Sequence, residues 1–123
     1  MELRVYLASR SPRRRELLAQ AGMRFDTILL RSGSRIDYEV DETPFDGESA
    51  EAYVERVTLA KLEQGREIVA LRQLLHKPIL AADTTLELEG EIIGKPSDEA
   101  DAAAILRRLS GRTHRVLTGV AVH

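Results

Sequence analysis

Residues 7–18, LASRSPRRRELL, join a short apolar strand to the start of a helix. The strand shows the alternation of a half-buried segment, at Leu3, Val5 and Leu7. Ser11 is a favoured N-cap residue, and Pro12 suits the first helical position, where no N–H partner is needed. The stretch therefore predicts a strand followed directly by a helix, which is the opening of an α/β unit.

The same helix start carries groups that bind an anion. The free N–H groups of the first helical turn point at one spot, and the positive end of the helix dipole favours negative charge there. Arg13 and Arg14 add forked donors that match phosphate oxygens, and Ser9 adds a hydroxyl. We interpret residues 9–14 as a phosphate-binding cradle, although they would also suit a well-capped surface helix.

Composition narrows the function classes. The chain has 123 residues, of which 18 are basic and 20 acidic, with a formal charge of −2. This balance gives no overall positive field that would attract nucleic acid or an anionic membrane. The chain has no cysteine, which excludes disulfides and thiolate metal sites. It also has no apolar run of the roughly 20 residues that are needed to span a bilayer. We expect a cytoplasmic protein without a nucleic-acid or membrane partner.

The predicted helices begin at favoured caps and end near glycine or proline. In chain order they cover residues 12–21, a stretch from Ser49 that Gly65 splits, residues 66–75, and a helix capped by Ser97 that ends before Gly111. The predicted strands lie between them, at residues 25–30, 79–82, 85–88, 91–93 and 115–122, and a polar loop covers residues 31–48.

Two of these strands matter for the site and for the length of the chain. Residues 79–82 form a continuous apolar run, and we expect them to deliver Asp83 at the C-terminal end of the strand, where open α/β sheets bind ligands. Residues 85–88 and 91–93 predict a hairpin that turns at Glu89-Gly90. The last strand is expected to be buried, yet no element follows to cover it, so we expect a C-terminal truncation.

Four residues outside the cradle have the chemistry of a phosphate-processing site. They are Glu42 beside Asp41 in the polar loop, Lys61 on the second helix, Asp83, and Lys95 in a Gly-Lys-Pro turn. Carboxylates suit Mg²⁺ or Mn²⁺, which complete their ligand shells with water and phosphate oxygens. These residues also have explanations without a function. Asp83 suits a turn, and Glu42 and Lys61 suit a solvated surface. Together these residues favour metal-assisted phosphoanhydride cleavage with a positioned base.

These residues fall in blocks that resemble one family, the Maf (septum-formation-like) nucleoside triphosphate pyrophosphatases. The blocks follow the family's order: LASRSPRRRELL at 7–18, Asp41-Glu42 with Glu48, YVER at 53–56, Lys61, ADT at 82–84, GKP at 94–96, and LSGRTHRVLT at 109–118. The resemblance extends over the whole chain. It implies an α/β fold of the inosine-triphosphate-pyrophosphatase-like (Maf/Ham-type) kind, with a mixed central sheet flanked by helices, which residues 1–123 form as one incomplete domain.

The resemblance also implies a role for each matching residue. Asp83 takes the family's general-base position and lies at the metal with Glu42. The implied phosphate contacts are Ser9, Arg13, Arg14, Lys61 and Lys95. Arg13 and Thr84 resemble the selectivity residues of the branch that acts on dTTP and UTP.

The implied reaction is hydrolysis of a nucleoside triphosphate to the monophosphate and pyrophosphate with a divalent metal, Mg²⁺ or Mn²⁺. The family's name links it to cell division arrest, and the reaction suits nucleotide-pool housecleaning. Two alternatives stay open: a nucleotide-binding regulator without significant turnover, and a pyrophosphatase that prefers 7-methyl-GTP or CTP. A nucleic-acid binder is disfavoured, because base stacking needs aromatic side chains that are scarce here. A homodimer and the activity of this chain on its own are left open.

Overall fold

The computed structural model describes residues 4–28 and 40–123, and within those ranges it contains five strands and three helices. In chain order they are β1 (Arg4–Leu7), α1 (Pro12–Gln20), β2 (Arg24–Thr27), α2 (Ala50–Leu71), β3 (Ile79–Leu88), β4 (Glu91–Ile93), α3 (Glu99–Leu109) and β5 (Arg115–Val122). The predictions for residues 29–39, which cover the end of the second strand and much of the polar loop, lie outside the described residues. None of the described helices has the length and apolar composition needed to cross a membrane.

The ten-residue strand β3 organises the sheet. Along one edge, residues 80–87 of β3 pair with antiparallel β5. The other edge pairs with parallel β1 at residues 79–80 and with antiparallel β4 at residues 86–88. β2 extends the sheet beyond β1 in the parallel direction. The predicted fold class, an α/β domain with a mixed central sheet and flanking helices, is confirmed.

Between β1 and β4 the edge of β3 is open. Pairing with β1 ends at Leu80, whose carbonyl accepts a hydrogen bond from the Ala8 N–H at 2.9 Å. Pairing with β4 begins only at Leu86. No strand in the described part of the chain pairs with residues 81–85 on this edge, and we call this stretch the sheet gap. Asp83 lies at its middle, three residues beyond Leu80, the last residue that pairs in parallel.

This position corrects the predicted end of the strand before Asp83. β3 continues through Asp83 to Leu88, because its pairing with β5 runs without interruption across the predicted break. The hairpin prediction is confirmed: β3 and β4 are joined at Glu89 and Gly90, with φ of 50° and 84°. Both values lie in the left-handed region that such a two-residue turn requires.

Helix α2 packs across β3 and β5, and at Gly65 it also approaches the end of β1. The core cluster consists of Tyr6, Ala8, Ile28, Ile68, Val69, Ile79 and Ala81. At Gly65 a Cβ atom would lie 3.1 Å from the Ala8 Cβ and 3.1 Å from the Ile79 Cγ2, so glycine permits this close approach. α2 runs through Gly65 without a break and ends at Leu71. The predicted split is therefore wrong, because packing outweighs a propensity cost of about 1 kcal/mol.

The helix caps agree with the sequence at two of three starts. The side chains of Ser11 and Ser49 accept N–H hydrogen bonds and cap α1 and α2 as predicted. α3 is capped by Asp98 and not by Ser97, because the Asp98 carboxylate accepts from the Asp101 N–H at 2.7 Å. Ser97 instead donates its own N–H to the Asp101 carboxylate at 2.9 Å. The acidic side chain that the sequence placed inside the helix is thus the cap itself.

Strand β5 has the predicted boundaries but not the predicted burial. Three side chains on one of its faces are 60–65% exposed: Val116, Val120 and Val122. Its other face packs on α2, where a Cβ at Gly119 would lie 2.5 Å from the Thr58 hydroxyl oxygen. In the described part of the chain, one face of β5 is therefore covered by a helix and the other is open to solvent.

Candidate active site

The connection from β1 to α1 places hydroxyl and guanidinium groups beside the sheet gap. Ser9 is buried at the end of β1, and its hydroxyl accepts from the Ser11 N–H at 3.1 Å. The Ser11 hydroxyl accepts from the Arg14 N–H at 3.4 Å, which holds the first turn of α1 next to Ser9. The Arg14 guanidinium donates to the Thr84 hydroxyl at 3.2 Å. The predicted cradle is therefore tied directly to β3.

A lysine and two carboxylates meet on the α2 side of the gap. The Lys61 ammonium donates to Asp83 Oδ1 at 2.8 Å and lies 3.0 Å from Glu42 Oε1. The Lys61 side chain is 17% exposed and that of Asp83 only 8%, whereas that of Glu42 is 39% exposed. One cation thus pairs with two carboxylates, one from a strand and one from a loop. Because two of the three groups are largely shielded from water, this attraction is stronger than that of a surface ion pair.

Residues 41–48 form no helix or strand, yet the first two turns of α2 hold them in place. The Tyr53 hydroxyl donates to the Glu42 carbonyl at 2.7 Å. The Arg56 guanidinium donates to both oxygens of Glu48, at 2.8 and 3.0 Å, and to the Thr43 carbonyl at 3.1 Å. These contacts fix the loop with the Glu42 carboxylate beside Lys61.

The surroundings shift the pKa of two groups that hold this loop. Burial raises the pKa of the Tyr53 phenol, and the nearby negative charges of Glu42 and Asp83 raise it further. The hydrogen bonds from Arg56 hold the pKa of the Glu48 carboxyl below its ordinary value. At neutral pH, Tyr53 is therefore a protonated donor and Glu48 an ionised acceptor, as their hydrogen bonds require.

Two cavities meet at this centre. The first has a volume of about 460 Å³. Its cationic lining residues are Arg10, Arg14, Lys61 and Lys95. The second has a volume of about 520 Å³. Its apolar lining residues include Leu86, Ile93, Ile105 and Leu106, and Asp83 and Thr84 also line it. Glu42 and Lys95 line both cavities and mark where they join.

The structure brings seven of the eight residues predicted for the site to these two cavities. They are Ser9, Arg14, Glu42, Lys61, Asp83, Thr84 and Lys95. Arg13 is exposed on α1 and lines neither cavity. Its roles in phosphate binding and selectivity stay predictions.

Sequence reasoning from the residues alone missed three side chains of the site. Tyr53 holds the Glu42 backbone, and Gln64 is buried in the wall of the first cavity. The Thr118 hydroxyl lies 3.0 Å from that of Thr84, which also binds Arg14. Thr118 is opposite Thr84 because of the register between β3 and β5, and that register depends on strands far apart in the chain. Only a motif match could have indicated it.

The donor set of the site fits a divalent metal ion. Glu42 and Asp83 already share one cation, the Lys61 ammonium, so their oxygens converge on a common region. Within residues 4–28 and 40–123, no group of three or more His, Asp or Glu side chains is placed to hold a metal. A metal here would take two protein carboxylates and complete its shell with water and phosphate oxygens, which is how Mg²⁺ is usually held.

Several known proteins are similar to this chain in sequence. A dTTP/UTP pyrophosphatase from Dechloromonas aromatica is 66% identical over 121 residues, which are 98% of this chain and 60% of the relative. A protein of the same name from Aromatoleum aromaticum is 60% identical over 123 residues, 99% of this chain and 60% of the relative. A third, from Chromobacterium violaceum, is 46% identical over 98% of this chain and 57% of the relative. The chain thus spans about three fifths of the length of the curated relatives it matches.

Among solved structures, the Ham1 protein of Staphylococcus aureus is similar with a TM-score of 0.45 and 19% identity, over 97% of this chain and 70% of that chain. The family model described as Maf-like protein matches residues 4–123, which include all eight predicted site residues. The chain therefore belongs to the Maf-like protein family.

Proposed function

We propose that the protein hydrolyses nucleoside triphosphates to the monophosphate and pyrophosphate, with dTTP and UTP as substrates and a divalent metal as cofactor. The observation that carries this proposal is the junction of a cationic and an apolar cavity at Glu42 and Lys95, beside the Lys61–Asp83 pair. The cationic cavity suits the phosphate chain and the apolar cavity suits the nucleoside. The bond between the α- and β-phosphates then lies at the junction, which favours pyrophosphate as the leaving group.

In this proposal the charged and polar side chains of the site have separate roles in the reaction. Asp83 accepts a proton from the attacking water, whose oxygen bonds to the α-phosphorus as the bond to pyrophosphate breaks and the electron pair leaves with the pyrophosphate. Lys61 orients the Asp83 carboxylate through its 2.8 Å hydrogen bond. Arg14, Lys95 and Ser9 bind phosphate oxygens. Glu42 and Asp83 would hold Mg²⁺ or Mn²⁺, which would neutralise charge on the phosphates and make a bound water more acidic.

Two observations support dTTP and UTP as the substrates. The curated relatives carry those nucleotides in their names at up to 66% identity. Thr84, one of the two predicted selectivity residues, lines the apolar cavity next to Asp83. We also propose that the protein works in the cytoplasm, where nucleotide pools lie. We further propose a homodimer, in which the exposed valines of β5 would lie at the contact.

The first test is product analysis with a matched pair of variants. Asp83→Asn is expected to lower metal-dependent pyrophosphate release from dTTP at least about 100-fold, because it removes the proton acceptor. Asp26→Asn is the control, since Asp26 is an exposed carboxylate that binds Arg4 and lines neither cavity. The Dechloromonas aromatica relative serves as a positive control for the assay.

Several outcomes would overturn this proposal. Orthophosphate as the first product would exclude pyrophosphate release. Measurable dTTP binding with unchanged nucleotide after prolonged incubation would favour the nucleotide-binding regulator. Faster turnover of 7-methyl-GTP or CTP than of dTTP and UTP would support pyrophosphate release as the reaction but would exclude dTTP and UTP as the preferred substrates.

A further inference from the structure

Glu42 is a loop residue that is contacted at both its carboxylate and its backbone carbonyl. Its own side chain is 39% exposed, so packing does not fix it. Its carboxylate nevertheless lies 3.0 Å from the Lys61 ammonium. Besides Lys61, the contacts that hold the backbone of the loop therefore determine where this carboxylate lies.

One contact acts directly on the Glu42 backbone. The Tyr53 hydroxyl donates to the Glu42 carbonyl at 2.7 Å, and the Tyr53 ring is buried on α2. An aromatic side chain has only two rotatable bonds, so a buried ring places its hydroxyl with little freedom. Tyr53 thus ties Glu42 to the same helix that carries Lys61.

A second contact fixes the rest of the loop. Arg56 binds both oxygens of Glu48 and the Thr43 carbonyl, and its guanidinium carbon lies 3.9 Å from the centre of the Phe45 ring. Lysine cannot reproduce this arrangement, because it has neither the planar fork nor the stacking surface. We call Tyr53 and Arg56 the loop clamp.

We propose that the loop clamp positions the Glu42 carboxylate for the divalent metal, so that Tyr53 and Arg56 set metal affinity without touching the metal. This inference rests on the proposed function, because it assumes that Glu42 is a metal ligand. Holding a ligand in its bound geometry before the metal arrives removes the entropy cost of ordering it, which raises affinity. Tyr53 and Arg56 are positioning residues, and neither is assigned a chemical step.

The chain offers a matched pair of tyrosines for the test. The Tyr6 hydroxyl also donates to a backbone carbonyl at 2.7 Å, that of Leu75, but in the core and outside both site cavities. Tyr53→Phe and Tyr6→Phe each remove one such hydrogen bond and keep the ring. Both are expected to lower the denaturation midpoint by a similar amount. Only Tyr53→Phe is expected to weaken Mn²⁺ binding, by about fivefold, as one net hydrogen bond predicts.

Arginine offers a second matched pair on the same helix. Arg56→Lys keeps the charge and loses the fork, and we expect it to weaken Mn²⁺ binding by about tenfold, because several hydrogen bonds are lost at once. Arg66→Lys is the control, since Arg66 forms a solvent-exposed pair with Glu63. Mn²⁺ affinity is measured by calorimetry, and amide hydrogen exchange of residues 41–48 reports the order of the loop independently.

The two readouts separate the clamp from the proposed function. Equal Mn²⁺ affinity in Tyr53→Phe, Arg56→Lys and the unchanged protein would overturn the inference, as would equal weakening by Tyr6→Phe. If the unchanged protein binds no Mn²⁺, the proposed metal cofactor fails, and the clamp is judged on hydrogen exchange alone. Faster exchange of residues 41–48 in the two clamp variants and not in their controls would then show that Tyr53 and Arg56 hold the loop, whereas unchanged exchange would reject the clamp altogether.

Discussion

At the scale of single residues, the site depends on one lysine between two carboxylates. Lys61 contacts Asp83 at 2.8 Å and Glu42 at 3.0 Å, and Asp83 has little access to water. Removing one partner of such a pair leaves the other charge without compensation, which costs more than the pair contributes. The stability of the metal-free protein and the chemistry of the site therefore depend on the same side chain.

Lys61→Met is expected to lower the free energy of unfolding by about 2 kcal/mol in metal-free buffer, a value reduced from that of a fully buried pair because Glu42 is partly hydrated. Urea unfolding measures the change. Adding Asp83→Asn to Lys61→Met should recover part of the loss, since the unpaired charge is then gone. Arg66→Met, which breaks an exposed pair, should change stability by less than about 0.5 kcal/mol. A double variant less stable than Lys61→Met would contradict this account.

The residue types of the site were predictable, but their contacts were not. Asp83 and Lys95 stand out in the sequence because of clear local patterns. Asp83 follows an apolar run, and Lys95 lies within a Gly-Lys-Pro turn. The contact between Lys61 and Asp83 joins residues 22 positions apart on different elements. It depends on the packing of α2 against β3, which no local pattern specifies. The contact of Tyr53 with the Glu42 carbonyl likewise joins α2 to a loop, and no local pattern specifies it.

At the scale of elements, α2 shows how packing overrides local propensity. Glycine in a helix interior predicts a break or a weak point, yet Gly65 is the residue that lets α2 approach β1 and β3. The prediction from sequence used the propensity alone. The identity of the residues opposite Gly65 decides the outcome. Those residues are Ala8, directly after β1, and Ile79, the first residue of β3.

Gly65→Ala is therefore expected to destabilise the protein by about 1 kcal/mol. The gain in helix propensity, up to about 1 kcal/mol, is smaller than the overpacking cost of about 1–3 kcal/mol when a Cβ meets two rigid neighbours at 3.1 Å. Denaturant unfolding checks the sign. Ala70→Gly, at an exposed position of the same helix, measures the propensity effect alone. A more stable Gly65→Ala variant would show that Ala8 and Ile79 move apart easily.

At the scale of the whole molecule, the described structure has one well-covered face and one open face. α2 covers the first, whereas Val116, Val120 and Val122 of β5 are exposed on the second. Exposed apolar side chains in a row favour contact with another surface. The sequence predicted β5 correctly as an apolar strand, but apolar composition alone cannot tell whether a covering element is present.

Replacing these three valines with threonine should leave stability within about 1 kcal/mol, because exposed positions contribute little and threonine retains the β-branched shape. The same variant should self-associate less. Sedimentation velocity over a range of concentrations measures the association, and urea unfolding measures stability. A loss of several kcal/mol would mean that this face is covered in solution.

The sheet gap was not predictable, although the strands on either side of it were. It exists because β1 and β4 pair with the same edge of β3 and leave residues 81–85 between them. Local patterns predicted each strand, and the pairing partners come from distant parts of the chain. The strand does not end before Asp83 as predicted, but its parallel pairing with β1 ends at Leu80, three residues earlier.

The gap also has a consequence for how insertions and deletions can change this protein. Ser9 follows β1 and Lys95 follows β4, so the spacing between the two ends of the site is measured in residues of β3. Strand geometry allows this spacing to change only in steps of about 3.3 Å per residue. A change of one residue would also turn Asp83 to the opposite face of the sheet, away from Lys61. Substitutions can therefore tune the site gradually, whereas a length change within residues 81–85 would dismantle it in a single step.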